Sequence, residues 1–133
     1  MKAVLDTNIF VSGIFWTGTP NKIILSWRKG KFILVSSLGT ISEVIKILKD
    51  FKIRLSDELF DEWIDLIVKN SILVEPGEKL KIVFEDPNDN IFIETAVAGK
   101  ADYIVTQDKH LLKIKEFRKI KIIAPEEFIK LLK

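Results

Sequence analysis

The 133-residue chain contains no cysteine, and only one histidine, one glutamine and one methionine. Without cysteine there is no disulfide, no thiolate zinc site and no cysteine nucleophile. With His110 as the lone histidine, a metal site must be built mainly from oxygen, which favours hard ions such as Mg²⁺ or Mn²⁺. A long apolar run is also lacking: none approaches the ~20 residues of a membrane span. Nor does the N-terminus carry the apolar core and small-residue cleavage site of a secretory signal; Asp6 would interrupt such a core. A cytoplasmic protein with no membrane contact is the expectation. Linkers, repeats and low-complexity stretches are missing too, so residues 1–133 read as one domain.

What is present suits a folded enzyme-sized unit. Apolar residues make up 47% of the chain, enough at this length for an ordinary core. Isoleucine occurs 21 times amid many lysines and glutamates, a composition reported for heat-adapted proteins.

Apolar patterning alternates between strand and helix. Residues 2–6 read as a strand that stops on Asp6. A helical turn over 8–15 follows and breaks at Gly18-Thr19-Pro20. Asn21 to Lys29 reads as a helix closed by Gly30, and Phe32 to Val35 as a strand buried on both faces. Ser36-Ser37 can cap a helix over 38–50, with Ile41, Val44, Ile45 and Leu48 on one stripe. The helix opened by Ser56-Asp57-Glu58 is expected to bury Leu59, Trp63, Leu66 and Ile67. A strand at Ile72–Val74, an extended segment at 78–85 (Leu80, Ile82 and Phe84 alternate), a helix over 91–99 and a strand from Tyr103 to Thr106 come next. A short helical piece near 109–115, a strand at Lys121–Ile123 and a last helix begun by Pro125 complete the chain. This alternation predicts an α/β fold, a parallel sheet with helices on both faces.

Four acids stand out against that frame, and each also has an ordinary role. Asp6 and Asp108 end strands and can cap the helices that follow. Asp89 stands third in a helix if Asp86 is its cap and Pro87 its first residue, where an acid complements the helix dipole. Glu43 lies opposite the apolar stripe of its helix, three residues before Lys46. In a parallel sheet, however, Asp6 and Asp108 share the carboxyl edge, where open α/β sheets bind ligands. Asp89 and Glu43 are expected near that edge as well. A pair of carboxylates about 4 Å apart repels by roughly 4 kcal/mol at an effective dielectric near 20. Protons or a cation must relieve that, and without thiols a hard divalent ion is the economical choice.

The same residues carry a family likeness. Asp6-Thr7-Asn8, Glu43 on the second long helix, Asp86-Pro87-Asn88-Asp89-Asn90 before a helix with Ala96 and Ala98, and Tyr103-Ile104-Val105-Thr106-Gln107-Asp108 resemble, in order and spacing, the pattern of PIN-domain nucleases. The likeness runs over nearly the whole chain. It is strongest to stand-alone PIN proteins that act as toxins of toxin–antitoxin pairs, akin to virulence-associated protein C. The resemblance implies a three-layer α/β/α domain with a five-stranded parallel sheet. It implies Mg²⁺ or Mn²⁺ bound by Asp6, Glu43, Asp89 and Asp108, with Asn8 and Thr106 as supporting polar residues. RNA as substrate, an antitoxin partner and a homodimer follow from the same likeness. Asp86 matches a frequent family acid, though a capping role suits it better here. His110 departs from the pattern, since relatives often carry an acid two residues after the last catalytic aspartate; a surface position is expected for it.

A divalent ion held by carboxylates orients water and stabilises charge on phosphate oxygens, which is what hydrolysis of a phosphodiester requires. Asp6 is expected as the central ligand, Asp89 and Asp108 as its companions, and Glu43 as the residue that orients water or a second ion. Net charge is only +2, but setting the four acids aside leaves 21 basic against 15 acidic side chains. Lys109, Lys113, Lys115, Arg118, Lys119 and Lys121 crowd the stretch after Asp108. Of these, Lys109, Lys113 and Arg118 are candidates for phosphate contact, against the equal alternative of a solvated face. Trp16 is expected in a core or dimer contact rather than stacked on a base. Two other readings stand beside the nuclease: a phosphatase with Asp6 as covalent nucleophile, which usually has a second acid where Asn8 stands, and an RNA-binding module with an idle site.

Overall fold

The computed structural model describes residues 1–51, 53–83 and 87–132. Its sheet has strands β1 (Lys2–Leu5), β2 (Ile33–Ser36), β3 (Ser71–Leu73), β4 (Tyr103–Val105), β5 (Glu116–Phe117) and β6 (Ile120–Ile123), in the order β3-β2-β1-β4-β6-β5. Five strands are parallel, as anticipated. The sixth, β5, is a correction: it pairs antiparallel with β6 as a hairpin too short for an apolar pattern to announce. From central β1 the chain moves outward through β2 and β3, then returns to β4 on the other side. The order therefore reverses between β1 and β4.

The described helices are α1 (Thr7–Phe15), α2 (Thr19–Arg28), α3 (Leu38–Asp50), α4 (Asp57–Lys69), α5 (Asn90–Gly99), α6 (Lys109–Leu112) and α7 (Pro125–Leu131), with a 3-10 turn at Pro87–Asp89. None of them is long and apolar enough to cross a membrane. Strand alternation assigns the two sheet faces. Ala3, Leu5, Leu34 and Val105 join the core built with α1, α2, α3 and α7. Val4, Val35, Ile104 and Ile122 join a second core with α5 and Leu111 of α6. The three-layer α/β/α architecture is thus present.

Some expected burial differs. Leu59 is exposed rather than buried, because α4 has Ile67 as its one fully buried residue and reaches the core through half-buried Trp63 and Leu66. Ile33 is exposed where β2 was expected to be covered on both faces. The described part of 78–85 forms no strand and runs over α5 as a strap; Phe84 and the proposed cap Asp86 lie outside the described residues. Trp16, half exposed, packs edge-on against Phe15 and Phe51.

Two backbone features bear on stability. Gly99 ends α5 where the helix crosses β2, and a Cβ there would overlap Cγ1 of buried, β-branched Val35. Arg118 and Lys119 form the two-residue loop between β5 and β6 with φ of 47° and 69°. A type I′ hairpin turn requires positive φ at both positions, a region that costs an L-residue about 1–2 kcal/mol. We expect Gly99→Ala to destabilise by about 1–3 kcal/mol through overpacking, and Lys119→Gly to stabilise by about 1 kcal/mol. Urea denaturation of both variants beside wild type checks the two signs.

Candidate functional site

The site begins with the register of β1 and β4. Leu5 lies opposite Val105, so Asp6 and Thr106 leave the sheet side by side at the point where strand order reverses. The Asp6 N–H donates to the Val105 carbonyl and the Thr106 N–H to the Ile123 carbonyl, each at 3.0 Å. These bonds carry the ladder past the assigned strand ends and fix both residues.

One hydroxyl then joins two acids. Thr106 Oγ1 accepts from the Asp108 N–H at 2.9 Å and donates its single proton to Asp6 Oδ2 at 2.6 Å. Asp108 is itself oriented as the cap of α6, with Oδ1 accepting from the His110 N–H at 2.7 Å. Thr106 is fully buried, Asp6 is 5% exposed and Asp108 half-buried. Burial is the largest influence on the Asp6 carboxyl and pushes its pKa up. The Thr106 hydroxyl and the N–H groups of Thr7 and Asn8 pull it down, the Asp108 charge raises it further, and the net result lies above the ordinary value. Thr7, which follows Asp6 in the chain, has its Oγ1 buried without a hydrogen-bond partner among the described residues. Leaving such an atom unmatched costs about 1–3 kcal/mol. The donors are all oxygen, and a desolvated carboxylate with a second one near it suits a hard divalent cation.

The other expected residues are placed differently. Asp89 is buried at the end of the 3-10 turn, immediately before α5, and does not cap that helix by its side chain. It is the third residue of a helical stretch that begins at Pro87, as expected, but the first three residues are 3-10 and α5 begins only at Asn90. Glu43 is half-buried in α3, about 9 Å along the axis from the cap Ser37. It lines a hollow of about 520 Å³ that passes Asn88 and Asn90, the neighbours of Asp89. Among the described residues no three acidic or histidine side chains form a ready metal cage. The structure thus joins Asp6 to Asp108 but does not draw Glu43 and Asp89 into one cluster with them.

Asn8 is exposed in the first turn of α1 and His110 is exposed on α6. Lys109 and Lys113 are exposed on and just after α6, close behind Asp108. Arg118 is elsewhere: it makes a bidentate pair with Glu78 at 2.8 and 3.3 Å and shares a hollow with Lys100 and Asp102, which precede β4 at the amino edge of the sheet. The basic run after Asp108 is therefore divided between two edges. Sequence reasoning missed Lys79 and Lys81 on the wall of the Glu43 hollow; their signal was the Lys-Leu-Lys-Ile alternation at 79–82.

The raised Asp6 pKa has a definite sign in stability. The native carboxyl keeps a proton that the unfolded chain has already lost, so stability falls as pH rises from the ordinary 3.8 to the raised native value. Above that window the full penalty remains. In EDTA near neutral pH, Asp6→Asn is expected to melt at or above wild type, and this advantage should vanish on acidification below about 3.8. Thermal melts across the pH range check it; a variant that melts well below wild type at neutral pH would contradict it.

Comparison with known proteins places this geometry in a family. The family model described as "PIN domain" matches residues 2–110. No curated protein matches the chain. Among solved structures, VapBC2 from Rickettsia felis, bound to a DNA fragment from its promoter, is similar with a TM-score of 0.60 at 16% identity, covering 93% of this chain and 98% of that one. VapBC-1 from nontypeable Haemophilus influenzae gives 0.58 at 18% identity, covering 95% and 99%. FitAB bound to an IR36 DNA fragment gives 0.53 at 14%, covering 92% and 94%. At these identities the likeness speaks for the fold. Because the family model spans most of the sequence, including Asp6, Glu43, Asp89 and Asp108, the chain belongs to the PIN-domain family, whose members are generally nucleases.

Proposed function

We propose that the protein is a Mg²⁺- or Mn²⁺-dependent endoribonuclease and the toxin of a toxin–antitoxin pair. The observation that carries this is the Thr106 hydroxyl, which holds Asp6 and Asp108 together at the switch point between β1 and β4. Asp6 and Asp108 would hold the ion, with Asp89 at the start of α5 and Glu43 across the adjoining hollow as further ligands or water-positioning acids. When bound, such an ion orients water and stabilises charge on phosphate oxygens.

The chain's own residues prepare for this. Thr106 fixes the orientation of the Asp6 carboxylate, and the N–H of His110 does the same for Asp108. Because the Asp6 carboxyl holds its proton more tightly than usual, cation affinity should rise with pH as that proton leaves. His110 is exposed on α6 and meets Asp108 through its backbone N–H. The phosphatase reading fares worse, since a covalent nucleophile needs access and Asp6 is nearly buried with Oδ2 engaged. A small antitoxin covering the centre and a homodimer belong to the same proposal; the likeness to the VapBC and FitAB structures supports the former.

The test is incubation of purified protein with assorted RNAs, with Mn²⁺ and with EDTA. Cleavage is expected only with the ion, and Asp6→Asn should reduce it by at least ~10²-fold, the scale of losing a principal electrostatic group. Mn²⁺ should raise the melting temperature of wild type but not of Asp6→Asn, since a ligand stabilises only the state that binds it. Cleavage by the variant at the wild-type rate would defeat the proposal.

A further inference from the structure

The described part of the strap over α5 forms no strand, yet its backbone is held at three points. The Leu80 N–H donates to Glu94 Oε2 at 2.8 Å, and the N–H groups of Ile82 and Val83 both donate to Asn90 Oδ1, at 3.0 and 2.9 Å. Asn90 Nδ2 returns a bond to the Val83 carbonyl at 3.3 Å. Two side chains of α5 thus fix the backbone of this segment. Leu80 and Ile82 pack against the second core. Lys79 and Lys81 alternate with them, are exposed, and line the same hollow as Glu43.

Some basic residues are held by carboxylates. Arg118 is matched to Glu78 and Lys69 to Asp65. Among the described residues, neither Lys79 nor Lys81 has an ion-pair partner. The hollow they face is an open one of about 520 Å³. Glu43, Glu94 and the sequence neighbours of Asp89, Asn88 and Asn90, complete its polar lining.

We infer that this hollow is the path of the RNA strand beside the acids, with Lys79 and Lys81 each neutralising one backbone phosphate. They bind and register the strand; they do not touch the reacting phosphorus. The lysine-lined path replaces the amino-edge half of the 109–121 stretch as the electrostatic guide, because Arg118 faces away from Asp6. The inference rests on the ribonuclease reading only for the nature of the polyanion.

The test uses the full chain and a labelled single-stranded RNA 12-mer. Affinity is measured in EDTA over a salt series, and KM and kcat in Mn²⁺. Lys79→Ala/Lys81→Ala is expected to weaken binding about tenfold and to flatten the plot of log affinity against log salt by about 1.4, roughly 0.7 for each lost phosphate contact on a single strand. KM should rise by a like factor with kcat unchanged, and Lys79→Arg/Lys81→Arg should restore both. The same loss of charge at the amino edge, Lys29→Ala/Lys31→Ala, should change neither slope nor KM. If wild type cleaves RNA and the Lys79/Lys81 variant keeps its slope and KM, the inference fails while the ribonuclease reading survives. If wild type binds with a lysine-dependent slope but never cleaves, the reading fails and the inference survives. No RNA binding by wild type overturns both.

Discussion

Parallel pairing of β1 with β4 in one register is the constraint from which the site follows. It sets Leu5 against Val105, so the next residue of each strand emerges at the same height with its neighbour at hydrogen-bonding distance. A one-residue slip would turn every side chain of a strand to the opposite face. Here it would move Leu5 from one core to the other and part Asp6 from Thr106. The two-sided core therefore protects the geometry of the acids, since apolar packing on both faces penalises any slip.

The buried threonine hydroxyl turns this register into chemistry. Because it accepts from the Asp108 N–H, its one proton is directed at Asp6. Asp6 is thereby held nearly out of water, where its negative charge is costly and a cation is welcome. Folding tolerates this local penalty because the surrounding layers are well packed. Strain at functional sites is commonly offset in this way elsewhere in a fold.

Helix α5 has a double task on the opposite face. At its end, Gly99 lets the backbone approach Val35 closely, and Lys100 takes the left-handed position (φ 52°) that a glycine would otherwise hold. At its beginning, Asn90 and Glu94 clamp the strap that borders the Glu43 hollow. The helix thus links the packing of the second core to the shape of the groove next to the acids. A change in how α5 sits on β2 would reach that groove through a rigid element rather than through a loop.

Much of this was readable from residues alone. Period-two and helical spacings gave the layer order, the parallel strands and the position of Asp6 and Asp108 at strand ends, because burial imposes those periodicities on any sequence that folds this way. The oxygen-only character of the donor set followed from the absence of cysteine. The two-residue β5 was beyond that signal, as a pattern needs more than one repeat to be seen. So were the exposure of Leu59, the pairing of Arg118 with Glu78 across 40 residues, and the clamp that aims Lys79 and Lys81. Each depends on which distant segment arrives beside it. Local composition fixes the face a side chain prefers, whereas only the packed layers decide what it meets there.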